Sequence, residues 1–233
     1  MTPVVRVRGL QKIYELGGGQ VVALGGIDLS FTPGEFVAVM GPSGSGKSTF
    51  MQIVGMLDRC TAGTYHFEGT DVSALSADAR ADIRSRRLGF IFQSYNLLSR
   101  TNALENVELP MVYAGVPESR RRRIAVDKME LVGVAQLQRN NPSQMSGGQQ
   151  QRVAIARSLV NDPGLILADE PTGALDTKSS ADVMQILMRL NRDQGITIML
   201  VTHDAAIAAY ARRIVTFRDG RVVGDTQNAE RAA

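Results

Sequence analysis

The chain has 233 residues and a net charge of +3, with 44% hydrophobic and 21% charged residues, which is typical of a soluble globular protein of one or two domains. Its single cysteine, Cys60, excludes an internal disulfide and indicates a reducing compartment. The N-terminal stretch lacks the apolar core of a signal peptide, and no apolar run approaches the roughly 18 residues of a membrane span. We therefore expect a soluble protein, to which a partner would supply any membrane spans.

Strands and helices alternate along most of the predicted chain. Residues 1–35 and 60–72 predict short antiparallel strands joined by turns, which form a small β layer. Four apolar runs have the length of buried strands: FVAVM (36–40), LGFIF (88–92), LILA (165–168) and IMLVT (198–202). Helical patterns follow the first, third and fourth of these runs, at 47–57, 179–193 and 205–211. This alternation predicts an α/β protein with a mostly parallel sheet that is covered on both faces.

The stretch 94–160 interrupts the alternation. Three helical segments without an obvious strand between them are predicted there: 103–114, 117–132 and 149–160. We therefore predict one domain with an inserted helical subdomain, in which residues 1–93 and 161–224 form the core and the β layer. Residues 225–233 are polar or small, and we expect them to fray.

Polar groups follow each of the four apolar runs. The first run enters a glycine-rich loop, the second ends at Gln93, the third at Asp169-Glu170 and the fourth at His203. In an open parallel sheet, ligands bind beyond the carboxyl ends of the strands. We therefore expect these groups to converge on one edge of the sheet.

The glycine-rich loop has the sequence GPSGSGKST and fits the pattern GxxxxGK[ST]. Glycines permit a tight turn whose N–H groups point at phosphate oxygens, and the dipole of the following helix favours an anion. Lys47 would reach the β- and γ-phosphates, and the Ser48 hydroxyl would bind magnesium. The candidate phosphate-binding residues are Gly41, Pro42, Ser43, Gly44, Ser45, Gly46, Lys47, Ser48 and Thr49.

The acidic pair and two further strand-end residues complete a predicted hydrolytic site. Burying two adjacent carboxylates without a cation is costly, so we expect Asp169 to hold magnesium, directly or through water. Glu170 would then polarise the water that attacks the γ-phosphate. Gln93 is a second candidate magnesium ligand, through its amide oxygen, and His203 is a candidate donor to the γ-phosphate or to the attacking water.

A second anion-binding helix start lies about a hundred residues further on. The segment MSGGQQQR (145–152) places a serine and two glycines directly before a helical pattern. The hydroxyl of Ser146 and the first N–H groups of the helix suit an anion, and Gly147 and Gly148 allow its close approach. One chain therefore carries two phosphate-binding starts.

These motifs, in this order, resemble those of the nucleotide-binding subunit of ATP-binding cassette (ABC) transporters, over about residues 4–224. The glycine loop looks like Walker A, LILADE like Walker B, Gln93 like the Q-loop glutamine and His203 like the switch histidine. MSGGQQQR looks like the family signature, in which Met145 replaces the usual leucine, and the segment ending at Asp176 looks like the D-loop. Tyr14 lies where the family stacks an aromatic ring on adenine; packing within the β layer is the alternative.

The resemblance implies that two subunits pair head to tail around two ATP molecules with Mg²⁺. The signature of one subunit would then cap the γ-phosphate held by the Walker A loop of the other, in a homodimer or a pair with a paralogue. The signature and D-loop residues assigned to nucleotide contact are Ser146, Gly147, Gly148, Gln149 and Asp176. Each chain alone would carry two incomplete half-sites.

The stretches FQSYNLLSRTNALENVELPMVYAG and LADEPTGALDTKS look most like the macrolide-export and lipoprotein-release branch of the family. Its implied partner is a membrane permease subunit with few spans and a large extracytoplasmic domain, and its implied location is the cytoplasmic face of the cell membrane. Residues 94–111 are the expected contact with that permease, with Tyr95, Leu97 and Leu98 as apolar anchors. The alternative for these three side chains is the core of the helical subdomain.

Other functions remain open at this point. Arg84, Arg86, Arg87 and the run 120–123 form a basic cluster, which fits a solvated helix face, anionic lipid headgroups or nucleic acid. An importer ATPase and a cassette ATPase of nucleic-acid machinery are the alternative functions. The latter type carries long coiled coils or a second cassette, neither of which this chain shows, so we expect no nucleic-acid partner. A P-loop GTPase or small-molecule kinase would not explain the signature.

Overall fold

Two β-sheets organise the chain in the computed structural model, which describes residues 2–228. In chain order the strands are β1 (Val5–Leu16), β2 (Gly19–Phe31), β3 (Phe36–Met40), β4 (Ala62–Phe67), β5 (Thr70–Asp71), β6 (Leu88–Phe92), β7 (Leu165–Asp169), β8 (Thr197–Val201), β9 (Arg213–Arg218) and β10 (Arg221–Gln227). The helices are α1 (Lys47–Val54), α2 (Ala77–Arg87), α3 (Ala103–Tyr113), α4 (Glu118–Leu131), α5 (Gly147–Leu159), α6 (Thr177–Gln194) and α7 (Ala205–Ala208).

The larger sheet has the strand order β10-β9-β3-β8-β7-β6. Every neighbouring pair from β9 to β6 is parallel, and β10 adds an antiparallel edge. Strands β3, β7 and β8 are buried almost throughout, as expected where helices or a second layer cover both faces of a parallel sheet. The predicted α/β architecture is confirmed, and all four apolar runs are strands.

Alternate residues of the large sheet face two different hydrophobic cores. Phe36 and Ala38 pack with α3, α4, α5 and α6 on one face. Val37 and Val39 pack with α1 and the small antiparallel sheet on the other. The period-2 alternation of a strand therefore divides the molecule into a helical side and a β-layer side.

The smaller sheet has the order β2-β1-β4-β5 and is antiparallel throughout. The predicted β layer is present, but β1 and β2 span 12 and 13 residues, so the expectation of short strands is wrong. The pairing of β1 with β2 shifts register between Val7 and Leu10, between Leu10 and Gln11, and between Lys12 and Ile13. Such bulges interrupt the alternation of side chains, which makes one long strand look like several short ones in the sequence.

Two further expectations need correction. Helix α2 is not predicted by the sequence analysis. Six of its eleven residues are charged and none is buried, so its sequence lacks the apolar stripe that would indicate a helix. Residues 225–227 do not fray: they pair with β9, and Nε and Nη2 of Arg213 each donate to the Asp225 carboxylate at 2.7 Å. Residues 229–233 lie outside the described part of the chain.

The helices of residues 94–160 pack as one group against the sheet. No strand lies between residues 93 and 164, a range described throughout, and helix α5 packs both on α3 and α4 and on β6. The division of the chain into core and helical subdomain remains a prediction. Within residues 2–228, no helix has the length and apolarity needed to cross a membrane.

Candidate functional site

The carboxyl ends of β3, β8, β7 and β6 lie side by side at one edge of the large sheet. In-register pairing places Val39 beside Val201, and Asp169 beside both Val201 and Phe92. The segments that leave these strands are the glycine loop, the acidic pair, Gln93 and His203. The structure therefore brings the predicted strand-end residues to a common edge.

The glycine loop is pressed against neighbouring backbone. Gly41 has φ +150°, and a side-chain carbon there would collide with the Phe217 carbonyl of β9. Gly46 has φ +99°, and a side-chain carbon would lie 2.6 Å from the Ala23 carbonyl of β2. The amide of Gly220 also donates to the Ser45 carbonyl at 3.0 Å. Only glycine fits these contacts, which fix the loop between the two sheets.

Helix α1 begins directly after this loop. Gly46 precedes it and has no side chain that could cap it, so its first N–H groups are available to an anion. Lys47 is buried, and its ammonium donates to the carbonyls of Gly41 and Pro42, both at 2.8 Å. A bound phosphate would therefore compete with loop carbonyls for the lysine. Ser48 is exposed and Thr49 half-buried.

Asp169 is the last residue of β7 and carries the clearest electrostatic signature of the site. Burial raises its pKa, the neighbouring charge of Glu170 raises it further, and Lys47 partly opposes both effects. A divalent cation would stabilise the ionised carboxylate. The predicted ligands, Asp169, Ser48 and Gln93, offer one carboxylate and two neutral oxygens. That donor set fits magnesium, which is bound through one or two carboxylates together with substrate phosphates. Within residues 2–228, no group of three or more His, Cys, Asp or Glu side chains could hold a metal ion.

Glu170 is held by a set of hydrogen bonds from the end of β8. Its backbone has φ +44°, and its amide donates to the Val201 carbonyl at 2.9 Å. Thr202 Oγ1 donates to Oε2 at 2.9 Å, while the amide of His203 donates to Oε1 at 2.9 Å. His203 Nδ1 also lies 2.6 Å from Oε1. The carboxylate is thereby fixed on three sides, and His203 contacts the predicted base.

Thr202 is a further candidate site residue that the sequence analysis does not identify. It is fully buried, and its hydroxyl both donates to Glu170 and accepts from the amide of Asp204 at 3.1 Å. A threonine at the end of an apolar strand looks like an ordinary β-branched strand residue. Only its position directly before His203 could have drawn attention to it.

The loop after β6 departs from the expected partner-anchor arrangement. Gln93 is exposed, and its side chain packs against Gly173, where a side-chain carbon would lie 2.8 Å from Nε2. Tyr95 turns its hydroxyl toward the chain's own Ala174 carbonyl, at 3.4 Å. Leu97 packs against the helical core, whereas Leu98 is exposed. Leu97 therefore packs against the core, as in the alternative interpretation, whereas the hydroxyl of Tyr95 contacts Ala174, outside the helical subdomain.

Two consecutive residues of this loop have left-handed backbones. Tyr95 has φ +59° and Asn96 has φ +50°. For residues other than glycine such conformations cost about 1 to 3 kcal/mol each and persist only where surrounding contacts determine them. The carbonyls of both residues accept hydrogen bonds from Arg157 of α5, at 2.8 and 2.5 Å.

The second anion-binding start is the N-terminus of α5. Ser146 caps the helix, with its hydroxyl accepting from the Gln149 amide at 3.3 Å and Gln149 Oε1 accepting from the Ser146 amide at 2.9 Å. This capping box satisfies two of the helix's free N–H groups. Gly147 and Gly148 are close to Tyr95, Leu175 and Ser179. These neighbours belong to the loop after β6 and to the start of α6, not to the glycine loop.

Asp176 caps the adjacent helix α6. Its carboxylate accepts from the Ser179 amide at 2.9 Å and from the Ser179 hydroxyl at 2.7 Å, and these bonds lower its pKa. A side-chain carbon at Gly148 would lie 3.0 Å from the hydroxyl of Ser179. The predicted signature and D-loop residues therefore form one surface made of two helix starts.

Tyr14 lies beside the first turn of α1. Its hydroxyl donates to Asp58 at 2.9 Å, and the Lys12 ammonium lies 4.7 Å from the ring centre. Burial raises the pKa of the phenol, the bond to Asp58 raises it further, and a hydrogen bond with Thr49 lowers it. The ring is thus held next to the glycine loop by groups from two elements.

Comparisons with known proteins agree on one family. The sequence model described as ABC transporter matches residues 24–173. A macrolide export ATP-binding/permease protein of Syntrophobacter fumaroxidans is 49% identical over 99% of this chain and 33% of its own length. A pyoverdine export ATP-binding/permease protein of Pseudomonas aeruginosa is 50% identical over 99% of this chain and 35% of its own. The chain therefore spans about a third of the length of these relatives.

Other relatives match the chain over almost their entire length. An uncharacterised ABC transporter ATP-binding protein of Thermotoga maritima is 50% identical over 96% of this chain and 95% of its own. Among solved structures, the dimeric cassette MJ0796 in a post-hydrolysis state with ADP and Pi is 40% identical, with a TM-score of 0.88 over 96% of this chain and 98% of that one. MJ0796 is also described as an ABC transporter cassette.

Replacing Thr202 with valine should lower kcat for ATP hydrolysis about tenfold, because a hydrogen bond to a charged carboxylate contributes about 1.5 to 3 kcal/mol. Thr202→Ser retains the hydroxyl and should keep most of the activity. Nucleotide affinity should change little in both variants, whereas the melting temperature of Thr202→Val should fall by a few degrees because a buried hydrogen bond is lost. An unchanged kcat in Thr202→Val, measured by phosphate release, would contradict a positioning role for this hydroxyl.

Proposed function

The chain belongs to the ABC transporter family as an ATP-binding domain, and we propose that it closes head to tail with a second copy, or with a paralogue, around two ATP molecules to power a membrane permease. The observation that carries this proposal is the placement of the two anion-binding starts. The glycine loop leads into α1, and the signature begins α5, whose neighbours are Tyr95, Leu175 and Ser179. An anion at the signature must therefore come from elsewhere, and a second chain would supply it.

The glycine loop and the acidic pair form the half-site that binds and cleaves ATP. Backbone N–H groups of the loop and of α1 bind the phosphates, and Lys47 exchanges its loop carbonyls for phosphate oxygens. Ser48, Gln93 and Asp169 would hold Mg²⁺, which neutralises phosphate charge when it is bound. Glu170 orients the attacking water, and Thr202 and the amide of His203 hold its carboxylate in place.

The signature forms the complementary half-site. Ser146, Gly147 and Gly148 place a hydroxyl and helix N–H groups where the γ-phosphate of the opposite subunit would lie. Gln149 supports this start through the capping box, and Asp176 lies on the same surface through Ser179. Loss of the γ-phosphate on hydrolysis removes the group that joins the two chains, so turnover opens and closes the dimer.

Tyr14 is proposed to stack on adenine. The ring is fixed next to the glycine loop, and its hydroxyl is engaged by Asp58 and Thr49. Aromatic faces stack on bases with about 1 to 3 kcal/mol per base, and Lys12 adds a cation to the same cluster.

A groove along β6, the edge strand of the large sheet, is the proposed docking site for the permease. It has a volume of about 740 Å³ and lies between α2, β6, α3 and α5. Its apolar lining includes Leu57, Phe90, Phe92, Leu109 and Tyr113, and the rings of Phe90 and Phe92 stack at 5.8 Å. An amphipathic helix that inserts its apolar face would fit such a groove.

The export-type relatives favour the macrolide-export and lipoprotein-release branch for this chain. The macrolide and pyoverdine relatives are each named as an ATP-binding/permease protein. This chain matches about a third of their length. We infer a permease with a large extracytoplasmic domain, and a peripheral location of this chain on the cytoplasmic face of the membrane. The exposed arginines of α4 would then lie near a surface that carries anionic headgroups.

Replacing Glu170 with glutamine should yield a stable dimer in the presence of ATP and magnesium, because water activation is lost while the phosphate contacts remain. Size-exclusion chromatography with light scattering measures the mass. The double variant Glu170→Gln/Ser146→Arg is the matched control and should stay monomeric, since the arginine blocks the signature. A monomeric Glu170→Gln chain at saturating ATP would refute the proposed pairing.

ATP hydrolysis by this chain should not respond to nucleic acid. Duplex DNA and single-stranded RNA, each added at low salt where basic patches bind most tightly, should leave kcat within about twofold of its starting value. The measurement is the rate of phosphate release at saturating ATP. Strong stimulation by DNA or RNA would instead favour a cassette ATPase of nucleic-acid machinery.

A further inference from the structure

We propose that Arg157 is a positioning residue, which clasps the loop after β6 in its left-handed conformation and thereby sets where Gln93 lies at the nucleotide. The inference rests on the proposed function, because Gln93 acts on ATP and its metal only there. Arg157 belongs to α5, and its hydrogen bonds go to Tyr95 and Asn96, neither of which is proposed to contact the nucleotide.

The contacts of Arg157 account for the conformation of the loop. Its Nη1 donates to the Asn96 carbonyl at 2.5 Å and its Nη2 to the Tyr95 carbonyl at 2.8 Å. These two residues have φ values of +50° and +59°, which residues with side chains rarely adopt. A planar guanidinium reaches two adjacent carbonyls at once. One side chain therefore fixes both residues.

Arg157 is a largely buried cation whose partners are neutral groups. Burial lowers the pKa of the guanidinium, and its hydrogen-bond partners are neutral carbonyls. Arg213 pairs with Glu35 and Asp225. Arg84 and Arg121, like Arg157, donate to backbone carbonyls. The feature that distinguishes Arg157 is that its two acceptors are adjacent residues with positive φ.

The loop held by Arg157 also connects the two proposed half-sites. Gln93 is two residues before Tyr95, and the hydroxyl of Tyr95 reaches the Gly147 position and the Ala174 carbonyl. Helix α5 carries the signature at its start and Arg157 in its last turn. Movement of this helix would therefore displace the Gln93 loop together with the signature. Asn96 and Arg157 also line the proposed permease groove, so an occupant would act on the same contacts.

The test uses the full 233-residue chain and the variants Arg157→Gln, Gln93→Ala and their double variant. Arg157→Gln should lower kcat about tenfold with nucleotide affinity nearly unchanged, and Gln93→Ala should have a similar effect. If Arg157 acts through Gln93, the double variant should be no slower than the slower single variant, because coupled residues are not additive. Arg157→Lys keeps the charge but loses the planar guanidinium that reaches both carbonyls, so it should recover only part of the rate.

A second readout does not depend on catalysis. In the nucleotide-free chain, hydrogen exchange of the amides at 94–98 should become about tenfold faster in Arg157→Gln, because the loop loses its clasp. The matched control is Arg121→Gln, which removes a guanidinium that donates to the Val116 carbonyl at 2.8 Å and should leave exchange at 94–98 and kcat unchanged.

Two results would overturn the proposal: unchanged exchange at 94–98 in Arg157→Gln, or additive losses of rate in the double variant. Absence of ATP hydrolysis by the wild-type chain would instead count against the proposed function, and the exchange measurement would still decide the role of Arg157. Comparable melting temperatures of Arg157→Gln and Arg121→Gln would exclude general destabilisation as the cause of a lower rate.

Discussion

The parallel alignment of β3, β8, β7 and β6 is the constraint on which the site depends. Parallel strands end at the same edge of a sheet, so four segments that are distant in sequence meet there. Register then sets the finer geometry. Because Asp169 pairs with Val201, Glu170 lies within hydrogen-bonding distance of Thr202 and His203. A slip of one residue would turn each of these side chains to the opposite face of the sheet.

The reactive groups at this edge are satisfied by groups of their own chain. Lys47 donates to loop carbonyls, and Glu170 accepts from Thr202 and His203. Asp169 is the exception, since burial and a neighbouring carboxylate raise its pKa. Binding of a metal–nucleotide complex would supply the missing positive charge at Asp169 and exchange the partners of Lys47. A ligand that carries both positive and negative groups would therefore complement this edge of the sheet.

Sequence patterns predicted those features whose causes are local. Apolar runs, glycine spacing and the residues after each run indicated the sheet, the loop and the strand-end groups. Features caused by distant partners were missed or misread. Thr202 acquires its role from Glu170, 32 residues away, and Arg157 from a loop 61 and 62 residues away. The polar and small residues at the end of β10 predict fraying, but this segment is held by Arg213 and by pairing with β9. Local composition does not reveal either of these distant contacts.

The central claim is that catalysis requires two chains, each contributing half of both nucleotide sites. The most direct test is the specific rate of ATP hydrolysis by the wild-type chain as a function of its concentration, with sedimentation measured under the same conditions. We predict that the rate of ATP hydrolysis per chain falls toward zero as dilution converts the protein to monomer. A constant rate per chain throughout the range in which the protein is monomeric would contradict it.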